Sequence, residues 1–341
     1  MPGPVTLSDV AREAEVSLAT ASRAINGSAN RTVRPELRER VLAAAERLHY
    51  SPDANAQAMA RGRTTTIGLI VHDIADPYFS SIAAGVTAAA DQLGLVVTLL
   101  TTQHQRGREQ QFVEVLQSQR ARAILIAGGR YDDADGTESL SQALAGYMAS
   151  GGAVALIGQP LPDVSTVAIG NTSGAIELAQ RMHGLGYRRF GVLAGPEGHI
   201  TARDRRDGFV QTLADLGAPV APGAIVECAF TRDGGYEGMR DLLSRDLAVD
   251  LVFAVNDVMA VGAMAAARDA DREVGADVAV AGFDDIVTLR DVNPGLTTVR
   301  LPLDELGAKA IELALAGPAA EATVVEVDGE VVVRASTPPR A

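Results

Sequence analysis

The side chains best suited to nucleophilic or metal chemistry are few in this sequence, and their spacing argues against both. The five histidines are scattered; no H-E-x-x-H pair sets two of them on one helix face, no G-x-x-x-x-G-K-[ST] loop would cradle phosphates, and no G-x-S-x-G elbow would expose a serine. His72, His183 and His199 therefore read as surface or cleft residues rather than ligands. Cys228 is alone, which excludes a disulfide framework and a cysteine-based metal site. No catalytic residue, metal or cofactor is expected, and an enzyme reading has little to stand on.

What remains is the chemistry of recognition. A net charge of −13 looks wrong for a nucleic-acid binder, but it is unevenly spread. Residues 1–64 carry nine Arg against seven acidic residues, a balance of +2, and the rest of the chain carries −15. A mildly basic head can sit on phosphates while an acidic body stays off them. The N-terminus has no basic segment leading into an apolar run, and no stretch approaches ~20 uninterrupted apolar residues. With one cysteine in 341 residues, a cytoplasmic protein without membrane association is expected.

The elements that must position these groups fall into two patterns. Thr6-Leu7-Ser8-Asp9 has capping-box character ahead of a first helix, and Ser17 can cap a second running from Leu18 to Ile25 after a tight turn at Glu15-Val16. Pro35 suits the first turn of a third helix, with Leu37, Val41, Leu42, Ala45 and Leu48 at helical spacing. From Ile67 onward, β-rich runs alternate with Ala- and Leu-rich stretches of helical length. The strands expected are Ile67–Val71, Val96–Leu100, Ala123–Ala127, Val154–Ile157, Phe190–Ala194, Leu251–Val255 and Val278–Ala281. Breaks at Gln159–Asp163 and Asn293-Pro294 suggest two α/β lobes with a ligand cleft between them. Val324–Val327 and Val331–Arg334 read as closing strands, and no apolar heptads follow residue 320.

Leu7-Ser8-Asp9-Val10-Ala11, Val16-Ser17-Leu18-Ala19-Thr20-Ala21-Ser22-Arg23-Ala24-Ile25-Asn26-Gly27 and Tyr50-Ser51-Pro52 closely resemble the headpiece of the lactose-repressor (LacI/GalR) family. The resemblance continues through Arg61-Gly62-Arg63-Thr64, Asp76-Pro77-Tyr78-Phe79, Gly282-Phe283-Asp284-Asp285 and Leu296-Thr297-Thr298-Val299, and so covers essentially the full chain. It implies an N-terminal all-α helix-turn-helix headpiece (residues 1–51), a hinge (52–64), and an α/β bilobed periplasmic-binding-protein-like effector domain (65–341). The N-lobe would take residues 65–162 and 296–322, the C-lobe 163–293 and 323–341. The implied function is a ligand-responsive transcriptional regulator, working as a homodimer on a pseudo-palindromic double-stranded DNA operator.

By the same resemblance, Leu18, Ala19 and Arg23 fall at base-reading positions; Thr6, Ser17, Thr20, Ser22, Asn26 and Asn55 complete the DNA contacts, and Met59 is the minor-groove wedge of the hinge. Chemistry agrees for Arg23, whose fork can grip a guanine, while Leu18 and Ala19 offer only apolar contact. The turn residue that is commonly Gly in the family is Glu15 here, costly if the turn needs positive φ. Effector contacts would come from Arg205, Asn256 and Asp284, with Asp76, Tyr78, Phe79, Thr201 and Phe230 around them, and Arg205 and Asp284 facing each other from opposite lobes. That set of donors, acceptors and aromatic faces suits a sugar-like ligand. Residues 65–341 alone would also fit a solute-binding protein that delivers sugar to a transporter; the helical headpiece argues against that rival.

Overall fold

The computed structural model describes residues 5–26, 33–51, 63–245, 247–317 and 322–340. The chain forms two compact units that divide between Thr65 and Thr66.

The first unit holds α1 (Leu7–Glu13), α2 (Leu18–Asn26) and α3 (Pro35–Arg47). Thr6 and Asp9 form the capping box anticipated from the sequence, Ser17 accepts from the Thr20 N–H, and Pro35 opens α3. The core is small: Val10, Ala11, Ala14, Ala21, Ala24, Val41 and Ala44, with alanines letting the helices approach closely. Leu42, read from the sequence as part of the apolar stripe, is exposed, because the buried line of α3 runs Val41, Ala44 and their partly buried neighbours Ala45 and Leu48. Glu15 has φ 50°, so the turn does need the left-handed region. Arg40 of α3 donates to the Ala14 and Glu15 carbonyls and clamps that turn.

The second unit contains β1 (Thr66–Val71), α4 (Pro77–Gln92), β2 (Val96–Thr101), α5 (Arg108–Ser118), β3 (Ala123–Gly128), α6 (Ala134–Ala149), β4 (Ala153–Gly158) and β5 (Thr166–Ile169). There follow α7 (Asn171–Gly184), β6 (Phe190–Leu193), α8 (Ile200–Asp215), β7 (Ile225–Val226), α9 (Arg232–Ser244), β8 (Leu251–Ala254), α10 (Asp257–Asp269) and β9 (Ala279–Ala281). The chain closes with β10 (Thr298–Arg300), α11 (Leu303–Leu315), β11 (Val324–Val327) and β12 (Glu330–Val332). A six-stranded parallel sheet runs β11-β5-β4-β3-β1-β2 and a four-stranded parallel sheet runs β7-β6-β8-β9; β10 and β12 pair as an antiparallel ribbon. Central strands such as β1 and β3 are buried almost throughout, as sheets covered on both faces require, whereas the edge strand β2 exposes Val96 and Leu99.

The sheets correct the lobe boundaries expected from the sequence. Thr166–Ile169 and Val324–Val327 pair with each other in the first sheet, so the first lobe runs to β5 and regains β11, and the chain crosses over at Gly170, around β10 and between β11 and β12. The break at Gln159–Asp163 is only a loop between β4 and β5. A four-residue β run carries no local mark of the sheet it joins; that choice is made by pairing partners about 160 residues away.

Candidate functional site

In the headpiece, α2 turns Ala21 and Ala24 into the core and presents the other side outward. Leu18 is 51 % exposed at the first turn, which excludes a core role for it, and Ala19 is exposed beside it. Arg23 folds back so that its Nε donates to the Ala19 carbonyl at 2.9 Å, a local bond that a stronger acceptor can replace. The hydroxyls of Ser17 and Thr20 are 2.8 Å apart, Asn26 donates to Ser22 Oγ at 3.3 Å, and the Thr6 hydroxyl donates to Asp9 in its capping box. Asn55 and Met59 lie outside the described residues.

In the body, every residue expected at the effector site stands at the carboxyl end of a parallel strand, where open α/β sheets bind their ligands. Asp76, after β1, N-caps α4 by accepting from the Tyr78 N–H at 2.9 Å and so places Tyr78 and Phe79 in the first turn. Thr201 and Arg205 open α8 after β6, Phe230 follows β7, Asn256 caps α10 after β8, and Asp284 follows β9. All eight line one cleft between the sheets, together with His72, His104, His199 and Asn171.

Arg205 is its centre. Its side chain is 2 % exposed; Nε donates to Asn171 Oδ1 at 2.8 Å, Nη1 to the Val255 carbonyl at 2.9 Å, and the guanidinium lies 3.8 Å over the Phe283 ring. Nη2 comes within 2.8 Å of Asp284 Oδ1, but off the N–H axis, so that this buried oxygen has no aligned donor. Burial pushes the Asp284 carboxyl up and the Arg205 charge pulls it back. Asp284 and Asp285 have φ 119° and 56°, disfavoured for non-glycine residues and held by their surroundings. Asp257 accepts from the Ile286 N–H and the Thr298 hydroxyl, and Asp285 is 2.7 Å from both Arg300 and Arg334. Asn256 commits its oxygen to the Met259 N–H, so what it can offer a ligand is its N–H donors.

The first lobe contributes aromatic and imidazole faces. His72 bonds Thr102 Oγ1 at 3.0 Å and the Gly129 carbonyl at 2.9 Å, stacks on His104 and meets Phe79 edge-on; from the second lobe, Phe230 stacks on His199 at 4.6 Å. His199 Nδ1 accepts from the Ala202 N–H, and burial holds this imidazole neutral with its pKa down to about 3. Residues after β3 and β4 meet the start of α8: Tyr131 bridges His199, the Asp132 N–H donates to the Gly198 carbonyl at 2.7 Å, and Gln159 donates to Thr201 Oγ1 at 2.8 Å. With the lobes so joined, the cleft keeps only about 30 Å³ of free space, about one water's share of liquid volume.

Two points differ from the sequence expectation. Arg205 and Asp284 do not face each other from opposite lobes, since both belong to the second sheet and touch directly. Asn171, Gln159 and His104 were not anticipated. Asn171 stands just beyond β5, so missing that strand hid a polar residue at a strand's carboxyl end. The neighbours Arg206 and Asp285 sit elsewhere: Arg206 pairs with Asp207, and Asp285 braces the ribbon.

Residues 6–53 match the profile of the bacterial regulatory proteins of the lacI family, and residues 179–337 match that of a periplasmic binding protein-like domain. The chain is 34% identical over 317 residues to the HTH-type transcriptional regulator GalS of Salmonella typhimurium, covering 92% of this chain and 90% of that one. The lac repressor dimer bound to operator and the anti-inducer ONPF superposes with a TM-score of 0.81 at 27% identity, over 98% of this chain and 100% of the other. The transcriptional regulator CelR in complex with cellobiose superposes with a TM-score of 0.71 at 30% identity, over 97% and 99%. No helix among the described residues is long and apolar enough to cross a membrane. With a capped helix-turn-helix ahead of two parallel sheets that share one cleft, and relatives alike over nine-tenths of its length, the chain belongs to the LacI family of DNA-binding transcriptional regulators.

Proposed function

We propose that this regulator is a repressor that grips a pseudo-palindromic operator as a homodimer and changes its operator affinity when a sugar-like effector binds between the two lobes. The observation that carries the reading is the convergence of all eight effector residues on one cleft around Arg205 and Asp284. Spare guanidinium N–H groups, the Asn256 amide and the unaligned Asp284 oxygen form a donor and acceptor array for vicinal hydroxyls, and Phe230 and Phe79 offer apolar faces. The cellobiose bound by CelR, a relative of the same fold, supports a carbohydrate. Leu18, Ala19 and Arg23 read bases, and Thr6, Ser17, Thr20, Ser22 and Asn26 position the headpiece on phosphates. Asn55 and Met59 are carried by the resemblance alone. The outward Leu93, Val96 and Leu99 favour pairing of first lobes between two copies.

A sugar needs more than 30 Å³, so admission requires the lobes to part about the crossover segments. Ligand that prefers one lobe spacing then biases the state in which the headpieces engage DNA. The test is a thermal-shift screen of the full chain against hexoses, pentoses, disaccharides and nucleosides, with and without operator fragments selected from a random library. A sugar should raise the apparent stability, by about 2.7 kcal/mol at a hundred times its Kd, and change operator affinity. Response to nucleosides alone, or selection of no palindrome, would defeat the reading.

A further inference from the structure

Next to the effector cleft, and sharing His72, His104 and Gly129 as its wall, lies a second cavity of about 390 Å³ built wholly from the first lobe. It opens between the starts of α5 and α6 and stays roomy where the cleft itself is nearly filled. Arg130 and Glu109 line it, and neither is satisfied by the other. Arg130 commits Nη2 to the Pro160 carbonyl at 2.9 Å, while its buried Nε and Nη1 have no acceptor. Glu109 and Arg130 feel each other's charge without forming a direct pair, and burial pushes the Glu109 carboxyl up. Buried guanidinium donors without acceptors are rare in folded proteins and call for a partner.

A group that bridges this pair must accept from Arg130 and donate to Glu109. A hydroxyl does both; an anion would gain Arg130 but would meet Glu109, Asp133 and Asp135 on the same wall, where the second cation, Arg106, already stands 3.7 Å from Asp133. We infer that this cavity is a second saccharide subsite, so that the effector is a neutral sugar of at least two rings, one held in the cleft and the next passing His104 to lie between Arg130 and Glu109. The inference rests on the sugar reading above and sharpens it.

Calorimetric titration of the full chain with glucose and galactose, with α- and β-linked disaccharides of each, and with glucose 6-phosphate separates the two readings. A disaccharide should bind at least tenfold more tightly than its component monosaccharides. Glu109→Gln and Arg130→Ala should each remove most of that advantage while leaving monosaccharide affinity within about twofold. If Arg130→Ala does not fold, Glu109→Gln decides alone. Monosaccharides binding as tightly as every disaccharide, variants that weaken both classes equally, or a preference for the phosphate would overturn the subsite and leave the sugar reading standing. No binding by any member of this hexose panel would overturn the subsite, and the sugar reading would fall with it if the pentoses of the wider screen failed as well.

Discussion

Arg205 is a buried cation whose surroundings are matched to a planar fork: an amide oxygen, a carbonyl and a carboxylate in three directions with an aromatic face beneath. Removing it leaves Asp284 buried and alone. Arg205→Ala should lower the stability of the body by about 3–5 kcal/mol and abolish the effector response, with operator binding retained in the folded fraction. The deficit carries a sign in pH. Burial already raises the Asp284 carboxyl to about 8 with Arg205 beside it, and loss of Arg205 raises it further, so the deficit opens as pH rises through and above about 8, and chemical denaturation should show a larger deficit at about pH 9 than at about pH 7. Arg205→Lys should not restore the response, because a point charge cannot meet three acceptors. On α2, Arg23→Ala should cost about 1–3 kcal/mol on the selected operator and relax preference at one base pair per half-site. A loss that is equal on all DNA sequences would show Arg23 to be a phosphate contact only.

At the scale of elements, the tight turn between α1 and α2 places a glutamate where φ is positive. The side chain offsets little of that strain: its ion pair with Arg40 spans 3.6 Å with Glu15 86 % exposed, and such pairs contribute almost nothing. Glu15→Gly should therefore stabilise the headpiece by about 0.5–1 kcal/mol, read as a higher unfolding midpoint of the first transition; an unchanged or lower midpoint would mean that the Arg40 clamp absorbs the strain. Glycine works in the opposite sense between α9 and α10. A Cβ at Gly235 would lie 2.1 Å from the Met259 carbonyl, and one at Gly262 would lie 1.9 Å from that of Arg232. Gly234, Gly235 and Gly238 argue locally against a helix over 232–244; the close crossing with α10 is what requires small residues there.

For the whole molecule, the two lobes meet through loops as well as crossovers, and His199 stands in that contact as both the N-cap of α8 and the neighbour of Tyr131 and Phe230. His199 must be neutral there, because burial disfavours its charged form, Nδ1 accepts a backbone N–H, and Arg205 adds positive charge nearby. With a folded pKa of about 3, below the ordinary imidazole value of 6.5, the unfolded chain binds the extra proton first as pH falls. Stability from this group is therefore full above about pH 6.5 and is lost on acidification toward pH 3. The advantage of wild type over His199→Asn should shrink by up to about 1.4 kcal/mol per pH unit below that point, measured by denaturant unfolding from pH 7.5 to 5. A constant difference would place the imidazole in solvent.

Much of this protein was legible in its sequence. The capping box at Thr6, the Ser17 cap and Pro35 fix the headpiece helices because caps are satisfied within a turn of chain, and the long buried runs of β1, β3 and β4 announce a parallel sheet by composition alone. The residues that line the cleft were legible only through their collinear likeness to a family, not through spacing, since two separate sheets meeting at a cleft bring residue 76, after β1, near residue 284, after β9. Tertiary structure decided the rest. It assigned β5 and β11 to the first sheet, put Arg205 and Asp284 on one lobe in direct contact, and buried Asn171 and His199 beside them. Those outcomes depend on which distant segments pair and on how much water they exclude, and neither quantity is a property of any short stretch of chain.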